Sequence, residues 1–248
     1  MYNLGLVGKN LSHSFSKEYF DKKFKKNQIQ NFSYSLFPLQ NLKSINRLIK
    51  NKKLLGFNVT SPYKENIIHY VDKLGPIATI TQSVNTVFIN SKNEKIGFNT
   101  DLIGFQTILD ILNIDHPKAL ILGSGGASKT ISYCLRLKKI KHFIISRKPQ
   151  INMKKYSEIK NMIDDFNLII NTTPIGQYPK INNAPKIPYH LISNKHYCID
   201  LIYNPSKTVF LKKAEKKGAR IINGHNMLIK QAEEAWKIWN HLITQYYV

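Results

Sequence analysis

"KALILGSGGASKTISYCLRL" (residues 118–137) carries the clearest architectural signal in the chain. It opens as a near-continuous apolar run, turns on Gly123, Gly125 and Gly126, and continues as an amphipathic helix. An apolar run with no alternation is the pattern of a strand buried on both faces of a parallel sheet. A G-x-G turn that follows such a strand and opens a helix is the context a dinucleotide-binding turn requires. Small residues let the backbone approach a pyrophosphate, and the helix N-terminus offers free amides and a positive dipole end. The third position of the G-x-G-x-x-G pattern is Ser128 here. A tight strand–helix turn with no ligand is the plain alternative, and the flanking strand and helix favour a cofactor.

The next strand, "HFIIS" (142–146), sharpens this. An NAD-binding unit carries an acidic residue about 20 residues after the turn, for the ribose 2′-hydroxyl. Here the strand runs into Ser146, Arg147 and Lys148, with no acid. Two cations and a hydroxyl suit a 2′-phosphate. A basic loop in a basic protein is the competing explanation, but Arg147 is one of few arginines in the chain. The expected cofactor is NADP(H) rather than NAD(H).

Further along, "FNLIINTT" (166–173) and "HYCIDLIY" (196–203) read as buried strands, with helices at 154–163 and 206–217 and a long amphipathic helix from about Asn226. Before Pro117 the strands are "YNLGLVG" (2–8), "FSYSLFPL" (32–39), "LLGFNV" (54–59), "SVNTVFI" (83–89) and "KIGFN" (95–99), the last two as a hairpin. Helices are expected at 17–27, 41–51, 62–74 and 102–112. Strand–helix alternation of this kind argues for an α/β fold with parallel pairing.

The chain has 248 residues, enough for one large domain or two modest ones with a real core. Its net charge of +22 invites a nucleic-acid reading. The lysines, however, spread along the whole chain, arginines are few, and the aromatics do not interleave with the charges. A binding stripe would concentrate them. A general compositional bias is the better account, and such a field also favours anionic small molecules. Cys134 and Cys198 are far apart in apolar contexts and read as free thiols of a cytoplasmic protein. No Cys/His cluster has zinc spacing, no apolar run reaches membrane-spanning length, and no signal peptide is read.

Polar residues interrupt the strands of the first half in four places. "SHSFS" (12–16) follows the first strand. "FNVTSPYKEN" (57–66) carries Asn58, Thr60 and Lys64. "SVNTV" sets Asn85 and Thr86 inside a β-like run, and "GFNTDLIGF" (97–105) ends a strand on Asn99, Thr100 and Asp101. Each has a bland explanation as a cap, a turn residue or a snorkelling lysine. In α/β sheets, ligands bind at the carboxyl ends of strands, and the convergence of these groups there favours a site.

The chain resembles the shikimate dehydrogenase family. "GKNLSHSFS" is similar to its N-terminal substrate segment, "NVTSPYK" to its N-V-T-x-P-x-K motif, and "VNT" and "NTD" to its paired Asn and Asp segments. "GSGGASK" is similar to its cofactor turn, with "SRK" where N-R-T is usual. "NTTPIG", "DLIYNPSKTVFL" and "GHNMLIKQA" complete an ordered set spanning residues 5–232. The resemblance implies a substrate-binding and catalytic α/β domain (1–101 and 224–248), a Rossmann-type NADP-binding domain (102–223), and an active site in the cleft between them. It implies Lys64 and Asp101 as the catalytic pair. Ser14, Ser16, Thr60, Lys64, Asn85, Asp101, Tyr203 and Gln231 would bind substrate. Gly123, Ser124, Gly125, Gly126, Ala127 and Ser128 would hold the pyrophosphate. Ser146, Arg147 and Lys148 would hold the adenosine phosphate end, and Leu201 and Gly224 would lie near the nicotinamide. Asn10, Lys17, Ser146 and Pro76 depart from the family pattern, and the segment 147–165 is short, but no catalytic group is missing.

The implied reaction is the reversible NADPH-dependent reduction of 3-dehydroshikimate to shikimate, in a cytoplasmic monomer or homodimer with no nucleic-acid or membrane partner. Lys64 would exchange the proton and Asp101 would orient it. A quinate/shikimate dehydrogenase with broader substrate or NAD use, and a non-catalytic NADP-binding sensor, are the alternatives. Ser16 is expected to cap the helix at 17–27, and Ser12 and His13 to play supporting roles.

Overall fold

The computed structural model describes residues 1–12, 14–112 and 114–247. It divides into two units: Met1–Asp101 with Gln231–Val248, and Leu102–Lys230. The first contains β1 (Tyr2–Gly8), α1 (Phe15–Lys26), β2 (Phe32–Pro38), α2 (Ile45–Lys52), β3 (Gly56–Val59), β4 (Lys73–Leu74), α3 (Pro76–Thr81), β5 (Thr86–Ile89) and β6 (Lys95–Phe98). These strands form one sheet in the order β2-β1-β3-β5-β6-β4. Pairing is parallel for β1 with β2 and β3, and antiparallel for β5 with β3 and β6. The sheet is therefore mixed, not parallel throughout. The short connection from β5 to β6 is a hairpin and cannot be a crossover.

Both faces of this sheet are covered. Leu4 and Leu6 of β1 belong to a core that includes Phe20, Tyr34, Phe88 and Trp239, whereas Val7 belongs to another with Phe57, Val59, Ile67 and Val87. Alternate residues of one strand thus enter different cores, which removes the period-two pattern from the sequence. Gly56 permits a close approach: a Cβ there would lie 2.5 Å from the Trp239 indole nitrogen, which donates to Val87 O at 3.0 Å.

Helix α4 (Asp101–Asp110) leads from the first unit into the second. The second contains β7 (Lys118–Leu122), α5 (Gly126–Leu137), β8 (Lys141–Ser146), β9 (Met153–Lys155), β10 (Leu168–Asn171), β11 (Tyr197–Asp200), α6 (Val209–Glu215) and β12 (Arg220–Ile222), and helix α7 (His225–Tyr247) returns the chain to the first. The second sheet is parallel throughout, in the order β9-β8-β7-β10-β11-β12. Counted from β7 this is 3-2-1-4-5-6, the doubly wound dinucleotide-binding topology, and its order reverses between β7 and β10. The glycine turn follows β7, at that switch point.

Several expected elements differ. Residues 62–74 are not an α-helix: a 3-10 turn covers only Asn66–Tyr70, and Lys73–Leu74 is a strand. The Lys64 carbonyl accepts from Val84 N and Asp72 N donates to Lys95 O, so neighbouring segments take the backbone groups a helix would need. The expected helix at 154–163 is the edge strand β9 followed by 3-10 turns, because residues 153–155 pair with β8. The helix expected at 17–27 starts at Phe15, and its cap is Ser14, not Ser16: the Ser14 hydroxyl accepts from Ser16 N. The supporting role read for His13 lies outside the described residues.

Candidate active site

One edge of the first sheet gathers the polar groups. The carboxyl ends of β1 and β3 carry Ser14 and Ser16 just beyond Gly8, and Thr60 just beyond Val59. Asn85 precedes β5 and so lies at an amino end, not a carboxyl end. Because β5 runs antiparallel, that end falls on the same edge. Asp101 follows β6, which is antiparallel to β5 and returns the chain to it.

Lys64 and Asp101 form an ion pair at 2.6 Å, with side chains 20% and 5% exposed. The lysine is fixed from its neighbours: buried Tyr63 donates from its hydroxyl to Leu39 O at 2.6 Å. Asp101 opens α4, where the helix dipole favours a carboxylate. Its Oδ2 takes the lysine, and its Oδ1 accepts from Asn85 Nδ2 at 3.0 Å. The same Asn85 NH2 group lies 3.1 Å from Gln231 Oε1 and 2.9 Å from Thr100 Oγ1, so three acceptors share its two protons. The structure thus brings Lys64, Asn85, Asp101 and Gln231 into one hydrogen-bonded group.

Three buried residues that stand among the convergent polar groups of the sequence, with no binding or catalytic role assigned there, hold this group. Thr100 N donates to Asn85 Oδ1 at 2.8 Å, the Thr86 hydroxyl donates to the same oxygen at 3.2 Å, and Asn58 Nδ2 donates to Thr86 Oγ1 at 3.1 Å. Their signal was visible as polar residues inside apolar runs. A fourth, Tyr34, carried none, since a tyrosine in a strand reads as core.

In the second unit the glycine turn has the geometry of an anion cradle. Gly123 has φ +111°, and a Cβ there would meet Thr172 Oγ1 at 2.8 Å and Thr173 Cγ2 at 2.9 Å. Helix α5 starts from Gly125 with no side-chain cap, leaving its first amides for a ligand. The buried Ser128 hydroxyl has no hydrogen-bond partner among the described residues. The Ser124 and Ser146 hydroxyls lie 3.1 Å apart, which joins the turn to the end of β8, where Arg147 and Lys148 are exposed. These residues fit a pyrophosphate and a second phosphate. Leu201 and Gly224 pack tightly: Gly224 N donates to Ile202 O at 3.1 Å, and a Cβ on Gly224 would lie 2.1 Å from Leu201 O. Tyr203 is half-buried two residues beyond Leu201.

Asp200, beside Leu201, is fully buried. Burial pushes its carboxyl up to about 6, partly offset by donors from Thr208, Ile202 and Asn171. Cys134 and Cys198 are buried free thiols, each pushed up to about 12 by desolvation. Among the described residues no helix is long and apolar enough to cross a membrane.

Comparison with known proteins agrees with this geometry. A profile of the shikimate dehydrogenase substrate binding domain matches residues 6–87. The shikimate dehydrogenase (NADP(+)) of Methanococcus vannielii is 36% identical, with 95% of this chain and 90% of that protein covered. Shikimate dehydrogenase 1 from Peptoclostridium difficile superposes with a TM-score of 0.86 at 33% identity, covering 97% of this chain and 92% of the other. The Thermus thermophilus enzyme, solved in complex with NADP(H) and shikimate, gives a TM-score of 0.84 at 26% identity, covering 97% and 94%. On the sheet-edge cluster, the doubly wound second unit and these relatives together, the chain belongs to the shikimate dehydrogenase family.

Proposed function

We propose that this chain reduces the 3-keto group of 3-dehydroshikimate to shikimate with NADPH, reversibly, in the shikimate pathway. The observation that carries this is the Lys64–Asp101 ion pair at 2.6 Å, with Asp101 held on its other oxygen by Asn85. Bound NADPH supplies the hydride. Lys64 gives its proton to the alkoxide that develops on the substrate and takes one back in the reverse direction. Asp101 keeps the ammonium aimed and accepts a substrate hydroxyl. Ser14, Ser16, Thr60, Asn85, Gln231 and Tyr203 bind the ring carboxylate and hydroxyls. A small polyol needs such directional partners, because one left unpaired on burial costs about 1–3 kcal/mol.

Gly123 to Ser128 would hold the pyrophosphate, with Ser146, Arg147 and Lys148 at the adenosine phosphate end and Leu201 and Gly224 beside the nicotinamide. On this reading residues 1–101 and 224–248 bind substrate, residues 102–223 bind NADP(H), and the protein is a cytoplasmic monomer or homodimer. The test is the rate of NADPH oxidation with 3-dehydroshikimate against 3-dehydroquinate. Preference for 3-dehydroshikimate is expected. Equal rates would mean a broader enzyme, and no turnover with either would refute the reading.

A further inference from the structure

Beneath the ion pair runs a chain of hydrogen bonds whose direction is fixed at its two amides. Asn85 Oδ1 receives the Thr100 backbone N–H at 2.8 Å, and an amide N–H can only donate. The other end of the Asn85 side chain is therefore its NH2 group, and that group faces the Asp101 carboxylate at 3.0 Å. The same logic fixes Asn58. Its Nδ2 lies 3.2 Å from Asn85 O, and a carbonyl can only accept. The Asn58 oxygen must then face Tyr34, whose hydroxyl lies 2.8 Å away and has to donate. Between them, Thr86 Oγ1 accepts from Asn58 Nδ2 at 3.1 Å, and its proton has Asn85 Oδ1 at 3.2 Å as the nearer acceptor and Thr100 Oγ1 at 3.4 Å as the farther one. The direction is Tyr34 to Asn58, Asn58 to Thr86, Thr86 to Asn85, and Asn85 to Asp101.

Tyr34 is 2% exposed, on β2, and its ring stacks on Phe20 at a centroid distance of 4.3 Å. The parallel pairing of β2 with β1 and of β1 with β3 brings it to Asn58, two strands away. The alternative orientation of the Asn58 amide would set its NH2 against the phenol and its oxygen against the Asn85 carbonyl, a repulsive contact in a buried place. The phenol therefore does more than fill the core.

We propose that Tyr34 is a positioning residue for proton transfer: its hydroxyl holds the Asn58 amide and, through Thr86, adds to the Thr100 N–H in keeping the Asn85 NH2 group on Asp101. Tyr34 touches neither substrate nor cofactor on this account and acts only through Asn85. The inference rests on the proposed reaction.

Tyr34→Phe keeps the stacked ring and removes the donor. Thr86→Val keeps the side-chain shape and removes the hydroxyl midway. Steady-state reduction of 3-dehydroshikimate by NADPH is measured for the full chain, both variants and the double variant, with thermal melting as the check on folding. Each single variant is expected to lower kcat by roughly 10-fold, the scale of one lost buried hydrogen bond, while KM for NADPH stays within about two-fold. The double variant should be no slower than the slower single variant, because both cut one path. A Tyr34→Phe enzyme with a lower melting temperature but unchanged kcat overturns the proposal, since the phenol would then be structural only. Additive losses overturn it as well. Should Tyr34→Phe not fold, Thr86→Val decides alone, and unchanged kcat there overturns it. A wild type without turnover refutes the reaction itself, and this inference with it, a result distinct from an active wild type whose variants are unchanged.

Discussion

Asp200 shows how a single side chain sets a pH dependence. It is fully buried at the end of β11, and its carboxylate accepts from Thr208 Oγ1 at 2.7 Å, Asn171 Nδ2 at 3.0 Å and Ile202 N at 3.1 Å. Burial outweighs these donors, so its folded pKa of about 6 stands above the ordinary aspartate value of 3.8. A raised acid stabilises the fold below the unfolded value, and that contribution is lost as pH rises through the folded value. From pH 4 to pH 7 the wild type should therefore lose roughly 2–3 kcal/mol relative to Asp200→Asn, at about 1.4 kcal/mol for each pH unit between the unfolded and folded values. Urea unfolding of both proteins across that range measures it, and a pH-independent difference would contradict the assignment. Asn85 and Asp101 drew notice in the sequence as polar residues inside or at the end of strand-like runs, and Lys64 through the resemblance of "NVTSPYK" to a family motif. Tyr34 drew none, because its hydroxyl finds Asn58 only through the register of β2, β1 and β3.

Among the elements, the turns decide what the sheets present. The backbone at Gly224 touches Leu201 so closely that an added Cβ would lie 2.1 Å from a carbonyl oxygen, and a carbonyl cannot rotate away. Gly224→Ala should cost about 1–3 kcal/mol of stability and weaken NADP+ binding, read by denaturant unfolding and by titration calorimetry. Arg147, exposed beyond β8, is expected to contact the 2′-phosphate. Arg147→Ala should raise the dissociation constant for NADP+ by about 10-fold or more, with little change for NAD+; equal losses for both would refute that role. The β7–turn–α5 unit was legible because a buried strand, a glycine turn and a helix each leave a local mark. The segments 62–74 and 154–163 were not. Their apolar spacing suits a helix, but pairing with β6 and β8 claims part of their backbone, and that competition is not local. The strand β12 and the helix α3 are too short to leave a periodic signal.

Across the molecule, the two units differ in what they report. Both tryptophans, Trp236 and Trp239, belong to the first unit's aromatic core, so indole fluorescence follows that unit alone. Shikimate at about 100 times its dissociation constant should raise the fluorescence-detected unfolding free energy by roughly 2.7 kcal/mol, and no shift would place its site elsewhere. The net charge of +22 had no counterpart in a concentrated stripe of the sequence, and the sheet-edge cluster is built from neutral donors and one ion pair. Everything proposed for the reaction turns on Lys64 moving the proton, so kcat of the Lys64→Ala variant is the decisive quantity. Turnover of 3-dehydroshikimate should fall by about 100-fold or more while shikimate still binds. A variant that turns over within a few-fold of the wild type would show that the proton comes from elsewhere.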